Sequence, residues 1–237
     1  MKARLDRWWN LGSAFFLFAA FMMTALKIQS TNWTEDLHLV NWLTFIGFLL
    51  GVGVGYSQFG RFLSKFLLFL YTILIVPYII GTTYNPGIPW LTRVQSLYGR
   101  TYFSIEQLLS NVRMEDPIIF LIFLSFLVWF TAMMGGYRLT RTSQPWASLL
   151  LSGITIFTVE FYDQSGNNLY SAFFLFFVLI FLSQNNFSVA NRNWKAKGIP
   201  VEFETEPLIR RSALIVAFLM IFLAWNATNI VSAFQPG

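Results

Sequence analysis

Few residues in this chain have the types and spacing that do chemistry, and glycines come first. The stretch GFLLGVGVGYSQFGRF, Gly47 to Phe62, holds five of them. A glycine-rich loop that cradles phosphate lies between a strand and a helix, and its P-loop form ends in lysine followed by Ser or Thr. Here Gly51, Gly53 and Gly55 lead instead into Tyr56, Ser57 and Gln58. Gly47, Gly51 and Gly55 recur at four-residue steps and therefore share one face of a helix. Small residues at that spacing let a neighbouring backbone approach closely, which associates helices in lipid without a hydrophobic driving force. These three are the expected helix-packing residues. A groove for a lipid, quinone or pigment is the alternative use of the same face, and no cofactor is required by the residues around it.

Catalytic and metal-binding groups are scarcer still. Cysteine is absent, which removes disulfides, thiolate metal sites and a cysteine nucleophile together. The one histidine, His38, follows Glu35 and Asp36 closely at a predicted helix entrance. A single imidazole makes no metal site without distant partners. His38 is read as an interfacial residue, and no catalytic, cofactor-binding or metal-ligating residue is assigned.

The elements that carry these residues are membrane helices. Charged residues make up 11% of the chain and mean hydropathy is +0.56, where a soluble domain carries roughly 25% charged residues. In lipid each backbone N–H and C=O must be satisfied within a helix or a closed barrel. The apolar residues are largely Phe, Leu and Ile rather than the alternating pattern of a barrel wall, so the expected fold is all-α: a polytopic helical membrane protein with about seven spans. A bilayer core of ~30 Å needs about 20 apolar residues per helix. The stretches that approach this are Leu11 to Ile28, Val40 to Ser57, Phe62 to Gly81, Pro117 to Met134, Trp146 to Phe161, Asn168 to Ser183 and Ser212 to Val231. The fifth and sixth are short, and the turn-forming YDQSGNN joins them as a hairpin that nearly fails to reach one interface, or whose ends extend into the flanking polar residues. The first follows the basic MKARLDR but gives no clear cleavage site, and reads as an uncleaved anchor.

Lys and Arg set the orientation, because cytoplasmic loops retain them. With the N-terminus inside and the C-terminus outside, all of the sixteen except Lys27, Arg93, Arg100 and Arg113 fall on the cytoplasmic side. The net charge of +5 is thus mainly a topological signal; no basic cluster is continuous, and nucleic acid is not an expected partner. The middles of the spans carry no Asp, Glu, Lys, Arg or His, so coupled transport of protons or ions is not expected. Lys27, Lys65 and Glu160 lie near span ends, from which lysine snorkels to the interface. Pro77 and the pair Gly135–Gly136 are candidates for kinks or helix ends.

Two segments lie outside the spans. In residues 82–116, Leu91, Val94, Leu97, Tyr98, Tyr102, Ile105, Leu108, Leu109 and Val112 recur at three- and four-residue steps. This predicts an external amphipathic helix, interfacial or packed over the bundle, with Gly99 as a candidate break. Residues 184–211 read as a cytoplasmic loop, with Val201 to Glu206 alternating as a short strand or extended arm.

Several blocks occur in an order with a wider meaning. NWTEDLHLVNWLTFIGFLLGVGVG opens a long helix after a tryptophan and an acidic pair. RMEDPIIFLIFLSFLVWFTAMMGGYRLTRTSQPWASLLLSGITIF ends the external segment and contains Asp116-Pro117 and Pro145-Trp146; EPLIRRSALIVAFLMIFLAW begins the last span. Together they resemble the N-terminal membrane region of bacterial transglutaminase-like membrane proteins. The resemblance implies helices in the cytoplasmic (inner) membrane, followed in the family by an extracytoplasmic domain with a papain-like Cys-His-Asp site. With no cysteine and one histidine, no family catalytic residue carries over to this chain. The implied role is a non-catalytic anchor or scaffold, either half of a longer or split protein or a relative without the enzyme domain. Its partners would be the lipid bilayer and either other membrane helices or an extracytoplasmic domain. The alternative is a stand-alone structural or assembly subunit of a larger membrane complex. A lipid- or quinone-handling protein is the weakest reading, because convergent polar groups are not evident in the spans.

Overall fold

A computed structural model describes residues 11–84, 87–110, 116–163 and 168–198, with 208, 211–212, 214–219 and 222. Seven continuous helices account for most of them: α1 (Leu11–Ser30), α2 (Leu39–Tyr56), α3 (Arg61–Gly81), α4 (Trp90–Leu109), α5 (Ile118–Thr142), α6 (Trp146–Tyr162) and α7 (Leu169–Ala196). Among the described residues there is no strand. Helices α1, α2, α3, α5 and α7 are long and apolar enough to cross a membrane. With its 17 residues, α6 reaches about 25 Å at 1.5 Å per residue. Of the seventh expected span, residues 212, 214–219 and 222 are helical and the remainder lies outside the described residues, as does the expected arm at Val201 to Glu206.

Parallel α2 and α5, in register from Gly47 on Trp129 to Gly55 on Tyr137, make the most extensive contact in the bundle. Helix α1 packs on both, α7 covers α1, α6 lies against α1 and α5, and α3 leans on α2 and α5. The core holds Trp129 at full burial, in one cluster with Leu43, Val40, Ile28 and Ile80. Its indole Nε1 donates to Thr72 Oγ1 at 2.8 Å, so the polar edge of the largest core side chain is satisfied by α3.

Three sequence expectations change here. Gly135–Gly136 does not end α5, which runs on to Thr142. Both glycines are contact points: a Cβ on Gly136 would lie 2.6 Å from the Phe48 carbonyl oxygen, and one on Gly135 2.6 Å from Phe21 Cζ. Pro77 likewise sits within α3 without ending it. Of the two readings of the sixth span, α7 follows the one in which its end extends into the flanking polar residues, and it takes Gln184 to Ala196 out of the expected loop. In that stretch Phe187 and Trp194 are two turns apart and their rings meet at 6.5 Å. The helix stops where Gly198 adopts φ +72°, a left-handed conformation that glycine enters without a Cβ penalty, and its N–H bonds the Lys195 carbonyl at 3.1 Å.

Helix α4 is one continuous helix through Gly99 rather than two; an interior glycine costs about 1 kcal/mol against alanine, too little to break twenty residues that are tied at both ends. At the first end Trp90 packs against Gly81 and meets Tyr78 at a tilt, with ring centroids 5.0 Å apart. Further along, Leu97, Ser104 and Gln107 are buried against the bundle. The stripe Leu91, Val94, Tyr98, Tyr102, Ile105 and Leu109 remains exposed, Tyr98 to 73% and Leu109 to 82%. This inverts the arrangement on a soluble surface, where the apolar stripe faces the core.

Candidate functional site: the charged end of the bundle

The glycine face meets its neighbour inside this chain. Gly47 lies on Trp129, where a Cβ would come 3.2 Å from the Trp129 carbonyl oxygen. Gly51 lies against the backbone of Met133, whose carbonyl carbon would be 2.8 Å from such a Cβ. Gly55 meets Tyr137 and Thr140, with the Tyr137 oxygen at 2.8 Å. From the opposite side Gly136 meets Phe48 and Val52. Space for a ligand is absent along this contact, since α5 backbone fills it. Gly53, on the other side of α2, has nothing within 4 Å.

Charge gathers at one end of the bundle, where α1, α3 and α6 finish and α2, α5 and α7 begin. Lys27, near the end of α1, does not snorkel. It is fully buried, and its Nζ donates to Asp163 Oδ2 at 2.7 Å and pairs with Glu160 Oε2 at 2.9 Å. Ser171 of α7 donates to the same Glu160 oxygen at 2.7 Å, so the cluster joins α1, α6 and α7. An amphipathic lysine normally sends its ammonium to water; here two carboxylates supplied by the α6 end replace that water.

Above the same end opens a polar cavity of about 620 Å³. Its wall includes Trp33, Glu35 and Asp36 from the α1–α2 connection, Tyr84 after α3, Arg100 of α4, and Asp116 before α5. Arg100 binds Asp116 in a two-pronged pair, Nε to Oδ2 at 2.6 Å and an NH2 group to Oδ1 at 2.8 Å. Its third nitrogen donates to the Tyr84 hydroxyl at 3.1 Å. Asp116 Oδ1 also accepts from the Ile118 N–H at 3.0 Å, capping the start of α5. The Arg100 hydrogen bonds hold the Asp116 carboxyl below the usual carboxylate range, against the opposing effect of burial and with help from the Ile118 N–H. Asp116 in turn raises the Arg100 guanidinium further above its ordinary value. With three carboxylates to one guanidinium, the lining is net negative. His38 is exposed nearby at the entrance to α2. Among the described residues no group of three or more His, Asp or Glu side chains has the proximity to hold a metal ion.

The opposite end is laid out differently. Arg141, in the last turn of α5, donates to the Phe59 carbonyl at 2.8 Å in the α2–α3 connection. Ser143, with φ 58°, closes α5 in a left-handed conformation. Its carbonyl accepts from Asn185 at 3.2 Å and its hydroxyl from Arg192 at 2.9 Å. These basic residues therefore bind the loops of their own chain.

The Lys27 cluster and the Arg100–Asp116 pair were not singled out by the sequence as a site. Their partners lie on different helices, and only the charge count near span ends hinted at them. Fold and geometry together define an all-helical protein with apolar helices of membrane-crossing length. Comparison with protein-family models, with curated proteins and with solved structures gives no match.

Proposed function

We propose that this chain is a non-catalytic membrane scaffold of the bacterial cytoplasmic membrane, with seven spans, that holds an extracytoplasmic domain against its charged end. The observation that carries the reading is the distribution of polar groups. The interior is closed by backbone contact between α2 and α5, while the open polar cavity and the ion pairs lie together at one end. Helix α4 frames that cavity and turns its apolar stripe away from the bundle, as a helix lying in the lipid interface does. The transglutaminase-like resemblance supplies the kind of domain to be held, and the excess of Lys and Arg at the other end supports a cytoplasmic N-terminus.

Because the chain has no cysteine, single introduced cysteines test the topology directly. Gln95→Cys on α4 is expected to react with a membrane-impermeant maleimide in intact cells, and Lys197→Cys only after the membrane is opened. The reverse pattern rejects the orientation. The scaffold role is tested by mild-detergent purification of the tagged chain: stoichiometric recovery of a soluble domain carrying Cys and His supports it. The exposed Phe62, Phe66, Phe69 and Ile73 on α3 favour a second reading, a subunit of a larger membrane complex. Recovery of polytopic partners without such a domain selects that reading instead.

A further inference from the structure

Midway between the two ends, hydroxyl groups converge from four helices. Thr24 of α1, Thr44 of α2, Thr131 of α5, and Ser152 and Thr155 of α6 line one small cavity with Phe21, Leu127 and Val128. All five hydroxyl residues are buried. The hydrogens of three hydroxyls are already placed on their own helices: Thr44 donates to Val40 O at 2.7 Å, Thr131 to Leu127 O at 2.7 Å and Thr155 to Leu151 O at 2.8 Å. Those three oxygens can therefore only accept. Thr24 and Ser152 share one bond of 2.8 Å across the α1–α6 contact. Thr24 Oγ1 also lies 3.5 Å from the Ala20 carbonyl oxygen, too long to hold its hydrogen against the shorter bond to Ser152; with Thr24 donating to Ser152, the Ser152 hydrogen is free for the cavity.

We infer that this cavity binds one structural water molecule, which links α2, α5 and α6 directly and α1 through the Thr24–Ser152 bond. Its volume is about 10 Å³, the lower bound for seating one water at roughly 10–15 Å³, and too small for an organic ligand. The donor and acceptor pattern fits that molecule. A water gives two hydrogens to threonine oxygens and receives one from Ser152, making the roughly three bonds typical of buried water. Buried hydroxyl oxygens in an apolar bundle are costly when their acceptor capacity goes unused, and the water supplies the missing donors.

The test uses the full chain, crystallised from a lipidic phase, at a resolution that shows ordered water. One density peak within hydrogen-bonding distance of the Thr131 and Ser152 oxygens is expected, and it should vanish in Thr131→Val, which keeps the side-chain shape. The same substitution should lower the melting temperature by about 2–4 °C. Combined with Ser152→Ala, the loss should fall short of the sum of the two single losses, because both act on one water. Ordered hydroxyls with no peak between them would overturn the inference. So would an anomalous signal at the site after rubidium soaking, which marks a cation, or a Thr131→Val protein that melts at or above the wild-type temperature.

Discussion

Lys27 shows how one side chain decides what a helix end does. A buried cation facing two carboxylates is expensive to assemble, yet more expensive to break, since removing one partner leaves charge without compensation. Lys27→Met is expected to cost about 3 kcal/mol, the low end of the usual range for a broken buried pair, because Glu160 keeps 20% of its side-chain exposure. Thermal melting in detergent checks it, and adding Glu160→Gln and Asp163→Asn should restore most of the loss. A Lys27→Met protein that melts like wild type would show that the ammonium reaches water after all. Arg100 and Asp116 differ, being partly exposed at 43% and 26%, so their pair is worth only about 0.5–1 kcal/mol. The sign of its pH dependence follows from the lowered Asp116 carboxyl. The stabilisation is present above the unfolded value of about 3.9 and is lost as pH falls through the lower folded value. Protection factors of the α4 amides, corrected for intrinsic exchange, should therefore fall below about pH 4, by about two- to five-fold, and Asp116→Asn should lower them by a similar factor at neutral pH.

At the scale of elements, the glycine face gives a prediction that alanine is enough to test. Gly51→Ala places a methyl group against the Met133 backbone, which cannot rotate away. A loss of about 1–3 kcal/mol is expected from overpacking, while Gly53→Ala, which meets nothing, should be neutral or slightly stabilising. Equal melting of the two variants would reject close packing of α2 on α5. The four-residue spacing was legible in the sequence because periodicity is a local property. Its partner was not, since the identity of the facing helix depends on how α5 returns across the bundle. The same limit explains the end of α7. Hydropathy stops at Ser183, but Gln184, Ala190, Arg192 and Lys195 favour helix enough to carry the intervening asparagines, and the signal that it ends is Gly198 rather than the loss of apolar residues.

For the molecule as a whole, the apolar spans and the amphipathic character of α4 could be read directly from composition and period. Which ions meet could not, because Lys27 and Asp163 are joined only by the α1–α6 contact. Nor could the fate of the basic residues opposite: Arg141 and Arg192, expected only as markers of sidedness, close the α2–α3 and α5–α6 connections. If α4 rides in the lipid interface, its contribution should depend on the bilayer. Tyr98→Asp with Leu109→Asp is expected to raise α4 exchange in nanodiscs and leave it nearly unchanged in a short-chain detergent; equal effects in both would place the stripe against protein instead.

The α2–α5 contact also has a consequence in time. Helix α2 leaves the ribosome and enters the membrane well before α5 exists, and synthesis proceeds at roughly 5–20 residues per second. For a delay on the order of ten seconds its glycine face has only lipid, or the insertion machinery, to lean on. The permanent neighbour that fits Gly47, Gly51 and Gly55 arrives late, so biogenesis of this protein contains an obligatory waiting state in which its tightest seam is still open.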